Sequence, residues 1–144
     1  MYSKEVMEHF QHPHHMGEMK NPDGTGRVGN PVCGDVMEIY IKVDKGKDGK
    51  ERLKDIKVKT FGCVAAIATS SMITDLAMRK TLDEAMKISN KQIADALKGL
   101  PPIKMHCSVL AADALHRAIE DYRKKEGAKH LQSKVRKKSK TAKK

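Results

Sequence analysis

The sequence predicts an α+β fold, a small antiparallel β-sheet with several helices, on three observations. Met37, Ile39, Ile41 and Val43 alternate with Glu38, Tyr40 and Lys42, and Ile56, Val58 and Thr60 alternate with Lys57 and Lys59, the period of half-buried strands. The polar stretch Lys45-Gly46-Lys47-Asp48-Gly49-Lys50 between them suits the turn of an antiparallel hairpin. Apolar residues then recur at helical offsets over 63–78 and 105–123, with two capping-box patterns between those segments. At 144 residues, 39% of them hydrophobic, the chain has the length of one domain with a modest core.

Taken in order, Ser3 is placed to cap a short helix over 4–10, with Val6, Phe10 and Met7 on its inner side, and Pro13 ends it. The stretch from His14 to Pro31 is rich in Gly, Asn, Pro and His and reads as loop, with Asn21-Pro22-Asp23-Gly24 as a turn, delivering Cys33 to a loop end. The hairpin follows, with Cys33 and Cys63 just beyond its two open ends, so pairing the strands gives these sulfurs a reason to meet. A helix starts at Cys63, with Ile67, Met72, Ile73, Leu76 and Ala77 at helical offsets. Thr81-Leu-Asp-Glu84 and Ser89-Asn-Lys-Gln92 are capping-box patterns for two short helices, with Gly99 at C′ of the second. Pro101 and Pro102 interrupt. Val109, Leu110, Ala112, Leu115, Ala118, Ile119 and Tyr122 then stripe a final helix with Cys107 in its first turn.

The net charge of +11 suggests nucleic acid until it is located. Segment 123–144 holds eleven Lys and Arg against Glu126 alone, and so carries +10 of it. This aromatic-free tail lacks the apolar surface to offset its ordering entropy and is expected to be disordered beyond about residue 130. With no Trp and only two Phe and three Tyr, stacking platforms are scarce, so nucleic acid is not an expected partner. No apolar run exceeds Cys63–Ala68, well short of a membrane span, and the opening residues carry Glu5 and Glu8 without an apolar stretch. A cytoplasmic protein is expected.

Three cysteines cannot all pair, and the sequence has no CxxC, which leaves zinc fingers and thioredoxin-type pairs without support. Cys63 and Cys107 fall at expected helix N-termini, where unpaired amides and the helix dipole stabilise negative charge on sulfur. Three thiols, each beside Gly, Pro or a polar loop residue, point to metal or sulfur chemistry. His9, His12, His14 and His15 form a local cluster capable in principle of holding zinc or nickel. No cysteine accompanies them and two flank Pro13, so they are read as a loop feature.

The strings Asn30-Pro-Val-Cys33-Gly-Asp35, Phe61-Gly-Cys63 leading into Ala65-Ala-Ile-Ala-Thr-Ser-Ser71, and Leu100-Pro-Pro-Ile-Lys-Met-His106-Cys107-Ser108 carry a resemblance. Over about residues 1–125 the chain resembles the IscU/NifU-type iron–sulfur cluster scaffold family. The resemblance implies a SufE/NifU-like α+β fold with the sheet packed against the helices. It also implies a scaffold domain over 1–125, followed by the basic tail 126–144. The implied function is assembly of a [2Fe–2S] cluster from iron and sulfur supplied by a cysteine desulfurase, and its transfer to apo-proteins without substrate turnover.

A [2Fe–2S] cluster takes four terminal ligands, so Cys33, Cys63 and Cys107 leave one place. Asp35 and His106 are the candidates. Asp35 follows Cys33 across Gly34, and its oxygen matches a thiolate-loving cluster poorly, as a labile ligand should. It is preferred to His106, which is the alternative ligand or a proton carrier, unless it points away from Cys107 as a helix neighbour. Leu100-Pro101-Pro102-Ile103-Lys104 reads as an exposed, polyproline-like segment, and in relatives a heat-shock-type chaperone recognises it. Val64 departs from the small residue usual after the second cysteine. A β-branched side chain there would stiffen the helix start and shield the site.

Two further readings compete. A zinc-bound sulfur acceptor would use the same donors. A Cys–His hydrolase would need a supporting acid and oxyanion hole that the sequence does not display. Self-association around a loosely held cluster would protect it, so a homo-oligomer is expected in the cluster-bound state.

Overall fold

The computed structural model describes residues 2–30 and 35–142, with side chains described over 2–29 and 36–127. Helix α1 (Lys4–Gln11) begins where Ser3 accepts the Val6 amide at 3.1 Å, and ends before Pro13 as expected. Its buried residues are Val6 and His9, not Phe10. A ring can be buried there because His9 Nδ1 bonds the Ser71 hydroxyl at 2.7 Å, giving the polar edge a partner.

Strands β1 (Gly24–Asn30), β2 (Asp35–Lys45) and β3 (Glu51–Phe61) make one antiparallel sheet in the order β1-β2-β3. The expected hairpin is β2–β3, with Val36 opposite Phe61 at its open end and Gly49 at φ +82° in its turn. The alternation in β3 becomes visible only from Ile56 because Lys54 is an extra residue. Lys42 faces Asp55 while Val43 faces Leu53, a bulge that turns both Leu53 and Ile56 into the core.

Strand β1 corrects the sequence reading of 14–31 as loop throughout. Glycine is poorly suited to strands, and Gly24, Gly26 and Gly29 conceal the pattern. What makes a strand here is the helix above it. A Cβ on Gly26 would lie 2.1 Å from the Ala114 carbonyl oxygen and 2.5 Å from the Ala118 nitrogen, so only a bare backbone permits that approach.

Helix α2 (Val64–Ala77) packs on β3, and α1 packs on α2. Small residues bury α2 on most sides: Ala65, Ala66, Ala68, Thr69, Ser70, Ser71, Thr74 and Ala77. Helices α3 (Leu82–Met86) and α4 (Asn90–Ala96) both start with a complete capping box, as their sequences predict. Gly99 is one residue further out than expected. Lys98 takes the left-handed C′ position at φ +60°, its amide bonding the Asp95 carbonyl, while the Gly99 amide bonds Ala94 at 2.8 Å. That is a Schellman motif with Gly99 at C″.

A 3-10 turn at Pro102–Lys104 leads into α5 (Met105–Ala142), which covers β1 and β2. The backbone of α5 stays helical through Ala142, across the basic segment for which composition predicts disorder; Lys, Arg, Gln and Ala are all good helix formers. Among the described residues no helix is long and apolar enough to cross a membrane.

The core lies between the sheet and helices α2 and α5. It holds Val28, Met37, Ile39, Ile41, Leu53, Ile56 and Val58 from the strands, with Ile73, Leu115 and Ile119 from the helices. Leu115 is fully buried at its centre. Leu115→Ala is expected to cost about 2–5 kcal/mol through lost transfer energy and the cavity left behind. Urea unfolding of the apo-protein measures this.

Candidate functional site

Two of the three cysteines lie within the described side chains, and the fold brings them together. Cys63 is the N-cap of α2 and makes no side-chain cap hydrogen bond there; Cys107 is the third residue of α5. Their Sγ atoms are 3.8 Å apart. Two thiolates on one tetrahedral ion with metal–sulfur bonds of about 2.3 Å stand about 3.8 Å apart. The pair is therefore already spaced to grip a single ion.

Several contacts hold that spacing. The Thr69 hydroxyl, fully buried in α2, donates to the Cys107 carbonyl at 3.3 Å and to the Ala66 carbonyl at 3.2 Å, linking the second turn of α2 to the first turn of α5. Ala65, Ala66 and Cys107 form a small apolar cluster with Tyr2, Cys63 and Leu100 packed around it. Cys107 is fully buried and Cys63 half-buried, so an ion reaching the pair enters from the Cys63 side.

His106 does not point away. Its Nε2 lies 3.6 Å from Cys107 Sγ, while its Nδ1 lies 3.2 Å from the Ile103 carbonyl. A carbonyl only accepts, so Nδ1 carries the proton. In the neutral ring Nε2 is then a lone pair facing sulfur, able to bind a metal or take the thiol proton.

Cys33 lies outside the described residues. For Asp35 the backbone alone is described, as the first residue of β2 opposite Asn30. The neighbouring strand pairs, Asn30 with Asp35 and Val36 with Phe61, stand at the end of the sheet from which the chain runs through Gly62 to Cys63. Val64, expected to shield the site, packs against the main core.

The polyproline-like reading of 100–104 needs correction. Pro101 has that geometry, at φ −55° and ψ 139°, whereas Pro102, Ile103 and Lys104 are wound into the 3-10 turn. Leu100 is half-buried beside Cys107, while Pro102 and Ile103 are exposed, Ile103 at 80%. The stretch borders a groove of about 450 Å³ shared with Tyr2 and Ser3.

The sequence reading passed over one further gathering of donor groups. His9, His14 and Asp75 offer donor atoms within 4.8 Å of one another. The two histidines were visible as a local cluster. Asp75 was not, because it comes from α2, 61 residues beyond His14.

Comparison with known proteins agrees with this architecture. An iron-sulfur cluster assembly scaffold protein IscU of Archaeoglobus fulgidus is 60% identical over 127 residues, 88% of this chain and 80% of that one. The protein of the same name from Escherichia coli K12 is 47% identical over 132 residues, 89% of this chain and 98% of that one. The solved N-terminal part of a nitrogen-fixing NifU-like protein from Brucella abortus superposes with a TM-score of 0.64. It covers 85% of this chain and 94% of that one, and at 19% identity it speaks for the fold alone. The NifU-like N terminal domain family matches residues 1–129. With the match spanning the sheet, α1 to α4 and the Cys107 end of α5, this chain belongs to the NifU-like N-terminal domain family.

Proposed function

We propose that the chain is a scaffold on which an iron–sulfur cluster is assembled and from which it is passed to recipient proteins, without turning over a substrate. The Cys63–Cys107 sulfur pair carries this reading, in a chain whose relatives bear the scaffold name. The cluster is cargo, best described as [2Fe–2S]. One iron takes Cys63 and Cys107, which the tetrahedral spacing supports. The other takes Cys33 and a fourth donor.

The two candidates for that donor differ in what speaks for them. The Nε2 lone pair beside Cys107 supports His106. The mismatch of a hard oxygen with a thiolate-bound cluster supports Asp35 as the weak bond that lets the cluster leave. Asp35→Ala is expected to make the cluster harder to transfer to an apo-ferredoxin. Loss of visible absorption from the donor measures it, and unchanged release would remove Asp35 from this role.

Sulfur comes from a cysteine desulfurase, as persulfide, in a cytoplasmic setting that keeps the thiols reduced. The exposed Ile103, with Leu100, Pro101, Pro102 and Lys104 around it, suits a peptide-reading chaperone of the heat-shock type. A cluster held at a half-open site gains protection from self-association, so light scattering is expected to give a larger mass for holo- than for apo-protein.

Anaerobic reconstitution with ferrous iron, cysteine, a desulfurase and a thiol reductant, which takes the persulfide sulfur to sulfide, tests the whole reading. The expected product is coloured, contains iron and acid-labile sulfide in equal amounts, and activates an apo-ferredoxin. Colourless protein that keeps one zinc on the same donors would instead favour a zinc-bound sulfur acceptor.

A further inference from the structure

We propose that His9, His14 and Asp75 form a second metal site, separate from the thiols, that takes a divalent ion of the zinc type and clamps α1 and the segment after it to α2. Asp75 follows Cys63 by twelve residues of α2, about 18 Å along the helix axis, so no ion bridges the two sites. Two imidazoles and a carboxylate, with water in the fourth position, are a common donor set for zinc.

The surroundings are already arranged for binding. His9 is 8% exposed and its ring is oriented by the Ser71 hydroxyl on Nδ1, the kind of outer hydrogen bond that fixes a ligating imidazole. The same hydroxyl accepts the His14 backbone amide at 2.8 Å, holding both histidine-bearing segments to one turn of α2. Burial, aided by the nearby His14, keeps the His9 pKa below its ordinary value of 6.5, so the ring is neutral and available at neutral pH. The His9 and His14 ring centres are 4.7 Å apart.

Without metal, the His14 Nδ1–H donates to Asp75 Oδ2 at 2.6 Å. That is closer than the roughly 3.4 Å separating two donors on a tetrahedral ion with bonds of about 2.1 Å. The ion therefore replaces this proton and parts the pair by under 1 Å. Both side chains are exposed enough to move, at 46% and 32%. On the other side of the carboxylate, His15 Nδ1 lies 2.9 Å from the Thr74 hydroxyl and 3.6 Å from Asp75 Oδ1.

The test uses the full chain with Cys33, Cys63 and Cys107 all changed to Ala, which leaves no thiolate. This protein is expected to bind one Zn²⁺, and to bind Co²⁺ with visible d–d bands and no sulfur-to-cobalt charge transfer. Zinc at about a hundred times its Kd raises Tm by about 5–10 °C. His14→Ala and Asp75→Asn each weaken binding by more than tenfold, and Ser71→Ala by roughly 10–100-fold. A folded triple variant that binds no zinc, or binding indifferent to His14→Ala and Asp75→Asn, would overturn the site. If the triple variant does not fold, the wild-type chain decides. The double change His14→Ala/Asp75→Asn must then lower its zinc content by one per chain and leave cobalt–sulfur charge transfer intact. Unchanged content refutes the proposal.

Discussion

Cys107→Ala is expected to abolish stable cluster binding while leaving the apo fold in place. Cys107 Sγ is one of the two sulfurs at tetrahedral spacing, and among the described residues of its cluster (Ala65, Ala66, Tyr2, Cys63 and Leu100) only Cys63 offers another soft donor. Cluster retention should fall by more than the roughly 10–100-fold that follows loss of an outer partner to a metal ligand. The thiol is small and its neighbours are apolar, so unfolding free energy should drop by only about 1 kcal/mol. Iron and sulfide analysis after reconstitution, beside urea unfolding of the apo-protein, separates the two effects. Equal iron in variant and wild type would show that the sulfur pair is not the binding site.

Gly26→Ala is the substitution expected to harm the fold most. The added Cβ would meet backbone at 2.1 Å and 2.5 Å, on Ala114 and Ala118, and neither atom can swing aside. Relief requires α5 to rise from β1, which loosens Val28 of β1 and Leu115 and Ile119 on the buried side of α5. The cost is expected to reach about 3 kcal/mol, the upper part of the usual range for overpacking. Gly127→Ala, in the same helix with nothing within 4 Å of its added Cβ, should be stabilising by about 0.5–1 kcal/mol through helix propensity alone. Urea unfolding of both variants measures the contrast. Because α5 also carries Cys107, Gly26→Ala should lower cluster binding in step with stability.

These cases mark where the sequence was legible. The caps at Ser3, Thr81 and Ser89 were readable because each joins a side chain to a backbone amide three residues away. The β2–β3 hairpin was readable from alternation on either side of a glycine-containing turn. Cys63 and Cys107 were placed at helix starts for similarly local reasons. Strand β1 was not readable, because its glycines answer to α5 some ninety residues on. The direction of His106 was left open between facing Cys107 and turning away, because the carbonyl beside its ring sits in the turn before α5.

The amino-acid order alone determined the helix starts, the β2–β3 hairpin and the residue types that carry the chemistry, since these follow from local patterns along the chain. Only the tertiary structure decided that Cys63 and Cys107 stand one tetrahedral edge apart, that Gly26 lies against a helix backbone, and that Asp75 joins His9 and His14. Each of those facts is a distance between residues far apart in the chain. It is set by how the sheet, α2 and α5 fill one core rather than by any local preference.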